Sequence, residues 1–187
     1  KLEWLRAALG SDAAVIANEY GVNRDASQLG IERNVLRYLP NPVVVRLATD
    51  APLQEQVRVL AAGIAAEADV TVSSPVALPQ EIAAALETAG VDLRFEDEAG
   101  WASHLGALAA REGANAGARV RIVAGKSLAE EVQKAYAATS GKPDIAIYGG
   151  KVVSAGRVEM LPFLREQAVS VTAHRFGTRN HLTDDII

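Results

Sequence analysis

Along the chain, apolar and polar positions fall into three regimes. From residue 1 to 20 the apolar positions recur at helical spacing, with Leu2, Leu5 and Leu9 followed by Ala13, Ile16 and Ala17. This predicts a helix with a stop and restart at Gly10–Ser11–Asp12 and an end at Gly21. Residues 23–41 are polar and irregular, broken by Gly30 and Pro40 with Pro42 just beyond, and a short edge strand is predicted only over 34–38. From Val43 a regular alternation sets in. Apolar runs at 43–47, 70–72, 91–95, 120–123 and 145–148 are separated by helical stripes. The first stripe is Leu53, Val57, Leu60, Ala61 and Ile64; the second is Ile82, Leu86 and Ala89. Trp101, Leu105 and Leu108 make the third, and Leu128, Val132 and Tyr136 the fourth. Five short strands alternating with four helices specify an α/β fold: a Rossmann-like parallel sheet of about five strands with helices on both faces.

After Tyr148 the alternation stops. Gly149–Gly150, between 145–148 and 152–154, predicts a two-residue β-hairpin. Pro162 favours a short helix beginning near it. Residues 168–173 alternate apolar and hydroxyl side chains, which predicts a strand with one buried face, and 178–187 is a polar tail. The expected organisation is one compact domain in three parts. These are an N-terminal helix and irregular arm (1–42), the Rossmann-like unit (43–148), and a C-terminal β-hairpin flap and motif (149–187).

Composition narrows what such a fold could do. Of 187 residues 49% are hydrophobic but only 5% aromatic, so the core rests on aliphatic and small side chains, and the helices pack closely. A net charge of −4 supplies no general attraction to phosphate backbones or anionic lipid, which argues against nucleic acid or a membrane as partner. No apolar run approaches the roughly 18 residues of a membrane span, and no signal-peptide core is present at the N-terminus. The only methionine is Met160, so the chain is expected to be cut from a longer protein. Cysteine is absent, which removes disulfides, thiolate zinc sites and any cysteine nucleophile together.

Sheets of this kind bind dinucleotides at their strand-to-helix turns. The turn Ala48–Thr49–Asp50–Ala51–Pro52 lacks glycine, and Asp50 sets negative charge where a pyrophosphate would lie. Glu96–Asp97–Glu98 is worse for a phosphate, and acids at helix N-termini have the ordinary role of complementing the macrodipole. No G-x-G-x-x-G occurs at any turn. Gly125–Lys126–Ser127 looks like the end of a P-loop, yet the glycine required five residues earlier is Val120. Ser127 is instead expected to cap its helix in a capping box with Glu130, leaving a weak anion site at Lys126 and Ser127.

His104 is expected to pack beside Trp101, and His174 and His181 are too far apart to form a metal pair by spacing. Ser73–Ser74 lies at a strand-helix turn without G-x-S-x-G around it, and Asp184–Asp185 reads as solvated tail. No catalytic, cofactor-binding or metal-binding residue is therefore expected. The densest constellation is C-terminal: Arg165, Glu166, Gln167, Val169, Val171, His174, Arg175, Phe176 and Gly177, with Arg179 and His181 behind. A polar rim around Val169, Val171 and Phe176 is the pattern of a docking strand, and an amphipathic edge strand serving this domain alone would show the same alternation.

The run GRVEMLPFLREQAVSVTAHRFG at 156–177 closely resembles the C-terminal motif of the proline utilization A proteins. NEYG at 18–21, and NVLRY at 34–38 followed by VVVR at 43–46, look like the start of the extra C-terminal domain in the longer members. The resemblance implies a fold similar to the NAD-binding domain of aldehyde dehydrogenases with a β-flap appended, matching residues 148–154 and 168–173, without catalytic cysteine or cofactor site. It implies a non-catalytic, cytoplasmic accessory domain that packs on the dehydrogenase module of the same chain or a neighbouring subunit and helps to cover the substrate channel. The parent would be an NAD-dependent L-glutamate γ-semialdehyde (pyrroline-5-carboxylate) dehydrogenase, with FAD as well if it is bifunctional with proline dehydrogenase. Two other readings stay open on the residues: a degenerate Rossmann domain that binds a nucleotide through Gly125–Ser127, and a free-standing interaction module.

Overall fold

In the computed structural model, which describes residues 1–113, 117–179 and 181, the chain opens with helix α1 (Leu2–Val15). It continues as a π-helical turn (Ile16–Tyr20), closed where Gly21 N–H donates to Ile16 O at 2.8 Å. The expected stop at Gly10–Ser11–Asp12 does not occur. Ser11 and Asp12 are turned to tertiary partners instead: Ser11 Oγ accepts from Gly156 N–H at 2.9 Å, and the Asp12 carboxylate accepts from both terminal nitrogens of Arg58 at 2.7 and 2.8 Å. Gly156 is required here, because a Cβ at that position would come within 2.8 Å of the Asp12 backbone.

Next come β1 (Arg24–Asp25) and β2 (Glu32–Pro40). The alternation follows as β3 (Val43–Leu47), α2 (Leu53–Ala65), β4 (Val70–Ser74), α3 (Gln80–Thr88), β5 (Asp92–Phe95), α4 (Glu98–Ala109), β6 (Ala118–Val123), α5 (Leu128–Ala138) and β7 (Ile145–Tyr148). Strands β3 to β7 form one parallel sheet in the order β5-β4-β3-β6-β7. The order reverses direction between β3 and β6, the doubly wound arrangement that the alternation predicts.

Because side chains alternate across a strand, the sheet feeds two cores. Val43, Val45, Leu47, Val70 and Val72 pack with Val59, Leu60 and Ala62 of α2 and Leu86 of α3. Val120, Ile122 and Ile145 pack on the other face with Trp101, Leu105 and Leu108 of α4 and Ala135 of α5. The α4 stripe is thus the one expected. On α2 the buried face is rotated: Arg58, Val59, Leu60, Ala62 and Gly63 are buried, while Leu53 and Ile64 are exposed. The cause is Arg58, which turns inward to Asp12 and also donates through Nε to Val153 O at 3.1 Å. On α3 Leu86 is buried but Ala89, past the helix end, is exposed. On α5 Glu131 and Ala135 are buried and Tyr136 is exposed, because the small Ala135 lets α5 approach the sheet.

The hairpin expected across Gly149–Gly150 is absent, and residues 151–154 form no strand. Their backbone groups serve buried ions instead. Gly150 O accepts from Arg121 Nη1 at 2.8 Å, Val153 O from Arg58, and Val153 N–H donates to Glu159 Oε2 at 2.8 Å. Glu159 lies in the short helix α6 (Gly156–Glu159), which a 3₁₀ turn (Leu161–Phe163) with Pro162 in its first turn connects to β8 (Leu164–Thr172).

The flap's partner strand is therefore β2, not residues 148–154. β2 and β8 pair antiparallel over nine positions, from Glu32↔Thr172 to Pro40↔Leu164. β2 is longer than the predicted 34–38 and lies in the middle of a β1-β2-β8 sheet rather than at its edge. The N-terminal arm and the C-terminal segment thus form a single flap. Two further strands, β9 (His174–Arg175) and β10 (Thr178–Arg179), make a small hairpin where the sequence suggested a tail from 178. Asp184–Asp185 lie outside the described residues.

Candidate functional site

In a doubly wound sheet, ligands bind beyond the carboxyl ends of the strands where the order reverses, here between the loops after β3 and β6. The two loops are tied together by the protein itself. The Asp50 carboxylate accepts from Gly125 N–H at 3.0 Å, from Ser127 N–H at 3.0 Å and from the Ser127 hydroxyl at 2.6 Å. The loops touch so closely that a Cβ on Gly125 would come within 2.6 Å of the Asp50 carbonyl oxygen. The Ser127 hydroxyl bond, and then the backbone N–H bonds, hold the Asp50 pKa down at about 2.

The capping box expected here does not form. Ser127 is in the right-handed helical conformation with no side-chain cap bond, and Glu130 pairs with Lys134 at 2.9 Å. Lys126 is exposed, and the donors that an anion would use at Ser127 are occupied by Asp50. The sequence showed Asp50 as a repulsive charge; the structure puts its carboxylate in the place a phosphate would take.

The acids after β5 are likewise engaged. Asp97 caps α4 by accepting from Gly100 N–H at 2.8 Å, Glu96 holds His104, and Glu98 pairs with the fully buried Arg46 at 3.0 Å. Arg46 also donates to Ser73 Oγ and Glu96 O, both at 2.9 Å, and lies 5.2 Å from the centre of the Trp101 ring. His104 packs edge-on to Trp101, as expected. Neither Ser73 nor Ser74 bonds a histidine: Ser74 donates to Val76 O at 2.7 Å. Among the described residues no group of three or more His, Asp or Glu could hold a metal ion.

The C-terminal candidates come together along one strand and the hairpin that follows it. On β8, Arg165, Glu166, Gln167, Val169 and Val171 lie opposite Leu39, Tyr38, Arg37, Val35 and Arg33 of β2. Gln167 Oε1 accepts from Arg37 Nε at 2.7 Å, and Ser170 Oγ donates to Asn34 Oδ1 at 2.5 Å. Val169 and Val171 are half-buried, Ser170 and Thr172 exposed. β8 is the terminal strand of its sheet, so its second edge has no strand beside it among the described residues.

Beyond it, Phe176 and Gly177 form the two-residue loop of the β9–β10 hairpin, both with positive φ (51° and 81°). Gly177 N–H donates to His174 Nδ1 at 3.2 Å. The left-handed region costs a non-glycine residue roughly 1–2 kcal/mol, yet Phe176 adopts it while 94% exposed as a residue, and the Arg175 guanidinium lies 5.6 Å from its ring centre.

The five-stranded parallel sheet between two helical layers, with an antiparallel flap appended, is an aldehyde-dehydrogenase-like Rossmann fold. The chain is similar to proline utilization A from Corynebacterium freiburgense, at 25% identity and a TM-score of 0.58, over 94% of this chain and 14% of that one. It also matches a putative aldehyde dehydrogenase from Bacillus subtilis, at 17% identity and a TM-score of 0.51, over 80% of this chain and 33% of the other. The chain therefore spans a small part of either protein. No protein-family model matches it, and no curated protein does at a significant level.

Proposed function

We propose that this domain is a non-catalytic accessory module of a proline-catabolic, NAD-dependent L-glutamate γ-semialdehyde dehydrogenase. It docks on the dehydrogenase module of the same chain or of a neighbouring subunit and helps to cover the substrate channel. The observation that carries the reading is the switch-point crevice, closed by Asp50 through three hydrogen bonds. The absence of cysteine agrees with it, since aldehyde oxidation through a thiohemiacetal needs a thiolate. The docking surface is the free edge of β8 with Arg165, Glu166 and Gln167, continued by His174, Arg175 and Phe176. An open strand edge and an exposed aromatic anchor beside an arginine are what a partner would cover. The 156–177 motif supports proline catabolism as the setting; in this reading NAD, and FAD in a bifunctional parent, belong to the partner module, and the whole acts in the cytoplasm.

Calorimetric titration of the domain with NAD tests the closed crevice. No heat above dilution is expected; a low-micromolar Kd would overturn the proposal.

A further inference from the structure

At the opposite, amino edge of the sheet, by the starts of β3 and β6, lies a cleft of about 490 Å³, within the range that holds small ligands. His104, Leu108 and Arg111 line it at helical spacing from α4 and the residues just past its end. The His104 side chain is only 11% exposed, and its Nδ1 lies 3.0 and 3.2 Å from the two carboxylate oxygens of Glu96. A carboxylate accepts and does not donate, so Nδ1 carries a hydrogen, and whenever the ring is neutral Nε2 is left as an acceptor. Nε2 makes no hydrogen bond among the described residues and is not fully enclosed, and His104 is one of the residues that line the cleft.

Both charge signs face the same space. Arg94 is held by Asp92 at 2.8 Å, and Arg119 donates to the main-chain carbonyls of Leu161, Pro162 and Leu164. Arg111 is exposed, and its guanidinium has no ion-pair partner among the described residues. Asp69 and Asp144 also line the cleft, and their carboxylates form no side-chain ion pair among those residues. His104 and Arg111 are about two helical turns apart, roughly 10 Å, a span that a guanidinium arm and a small ligand bridge together.

We propose that this cleft binds a small zwitterionic amino acid, its carboxylate on Arg111 and its ammonium toward His104 Nε2 and the two aspartates. A bare imidazole nitrogen and carboxylates accept from an ammonium, while a free guanidinium gives a carboxylate paired donors. This site is separate from the switch point, and it stands without the docking proposal.

The test follows the His104 ring in long-range proton–nitrogen spectra, in a chain with three histidines. The intact chain is titrated separately with glycine, L-glutamate, acetate and methylammonium to about 10 mM, where a Kd of ~1 mM is about nine-tenths saturated. A saturable shift with at least one amino acid is expected, with acetate and methylammonium at least about tenfold weaker. Arg111→Gln should weaken the amino acid about tenfold while the melting curve stays unchanged. No saturable shift with either amino acid, an equal response to acetate, or undiminished binding in Arg111→Gln would each overturn the proposal.

Discussion

Glu159→Ala should destabilise the domain more than any surface change, because it strands a buried charge. Glu159 is 2% exposed and its partner Arg121 3%. Arg121 donates to Glu159 Oε1 through Nε at 2.9 Å and through Nη2 at 2.7 Å, while Nη1 is shared among the carbonyls of Ile122, Tyr148 and Gly150. Removing the carboxylate leaves the guanidinium in the interior with dipoles alone, and such half-broken pairs cost about 3–5 kcal/mol. It also frees Val153 N–H, which donates to Glu159 Oε2. At roughly 2–4 °C per kcal/mol for a domain of this size, the melting temperature should fall by about 6–20 °C. Thermal melts followed by circular dichroism measure that fall, and urea denaturation measures the free energy, with an unchanged slope confirming that stability and not compactness has moved. Replacing both partners by apolar residues, Arg121→Met with Glu159→Leu, should recover most of the loss, since the desolvated charge is gone. A cost below about 1 kcal/mol for the single change, or a double variant as unstable as the single, would refute the assignment.

Trp101→Ala should cost about 3–5 kcal/mol by the same denaturation, since the ring is 2% exposed and supports both the α4 core and Arg46. Asp50 has a depressed pKa, so its contribution is complete above the ordinary carboxylate range and is lost as pH falls toward about 2. Melts of Asp50→Ala should accordingly be lower than wild type near neutrality, and the two curves should converge in acid; a difference that widens on acidification would contradict this. Phe176→Asn should leave the domain's stability unchanged or raise it by up to about 1 kcal/mol, because asparagine accepts the left-handed backbone. In an assembly assay the same change should weaken docking by about 2 kcal/mol or more, and a melt that collapses instead would make Phe176 a fold residue.

The parallel sheet was readable because β-branched runs such as 43–47 have no competing helical period, and the α4 stripe because three large apolar residues leave little choice of face. The α2 face was not readable. Arg58 counts as polar in any pattern, and only the distant Asp12 turns it inward. The 149–150 hairpin failed for a related reason: its glycines signal a turn, but the carbonyls around them are claimed by Arg58 and Arg121 from remote elements. β2 was read too short and as an edge because Arg33, Asn34 and Arg37 mask its alternation until β8 is set beside it. The switch-point signal was half legible. Asp50 was visible as a charge unfit for phosphate, but its bond to Ser127 joins loops 77 residues apart. For the hairpin beyond β8, Gly177 between two pairs of strand-like residues was the one cue.

The central claim, that β8 and the hairpin after it are a docking surface, is tested most directly by amide hydrogen exchange. The domain is measured alone and then joined to a dehydrogenase module of the proline utilization A type. Amides of β8 on its unpaired edge, together with those of 174–177, should exchange quickly in the isolated domain and slow by at least about tenfold in the assembly, while the parallel sheet is equally protected in both. Equal exchange of β8 in the two states, with protection appearing elsewhere or nowhere, would contradict the account.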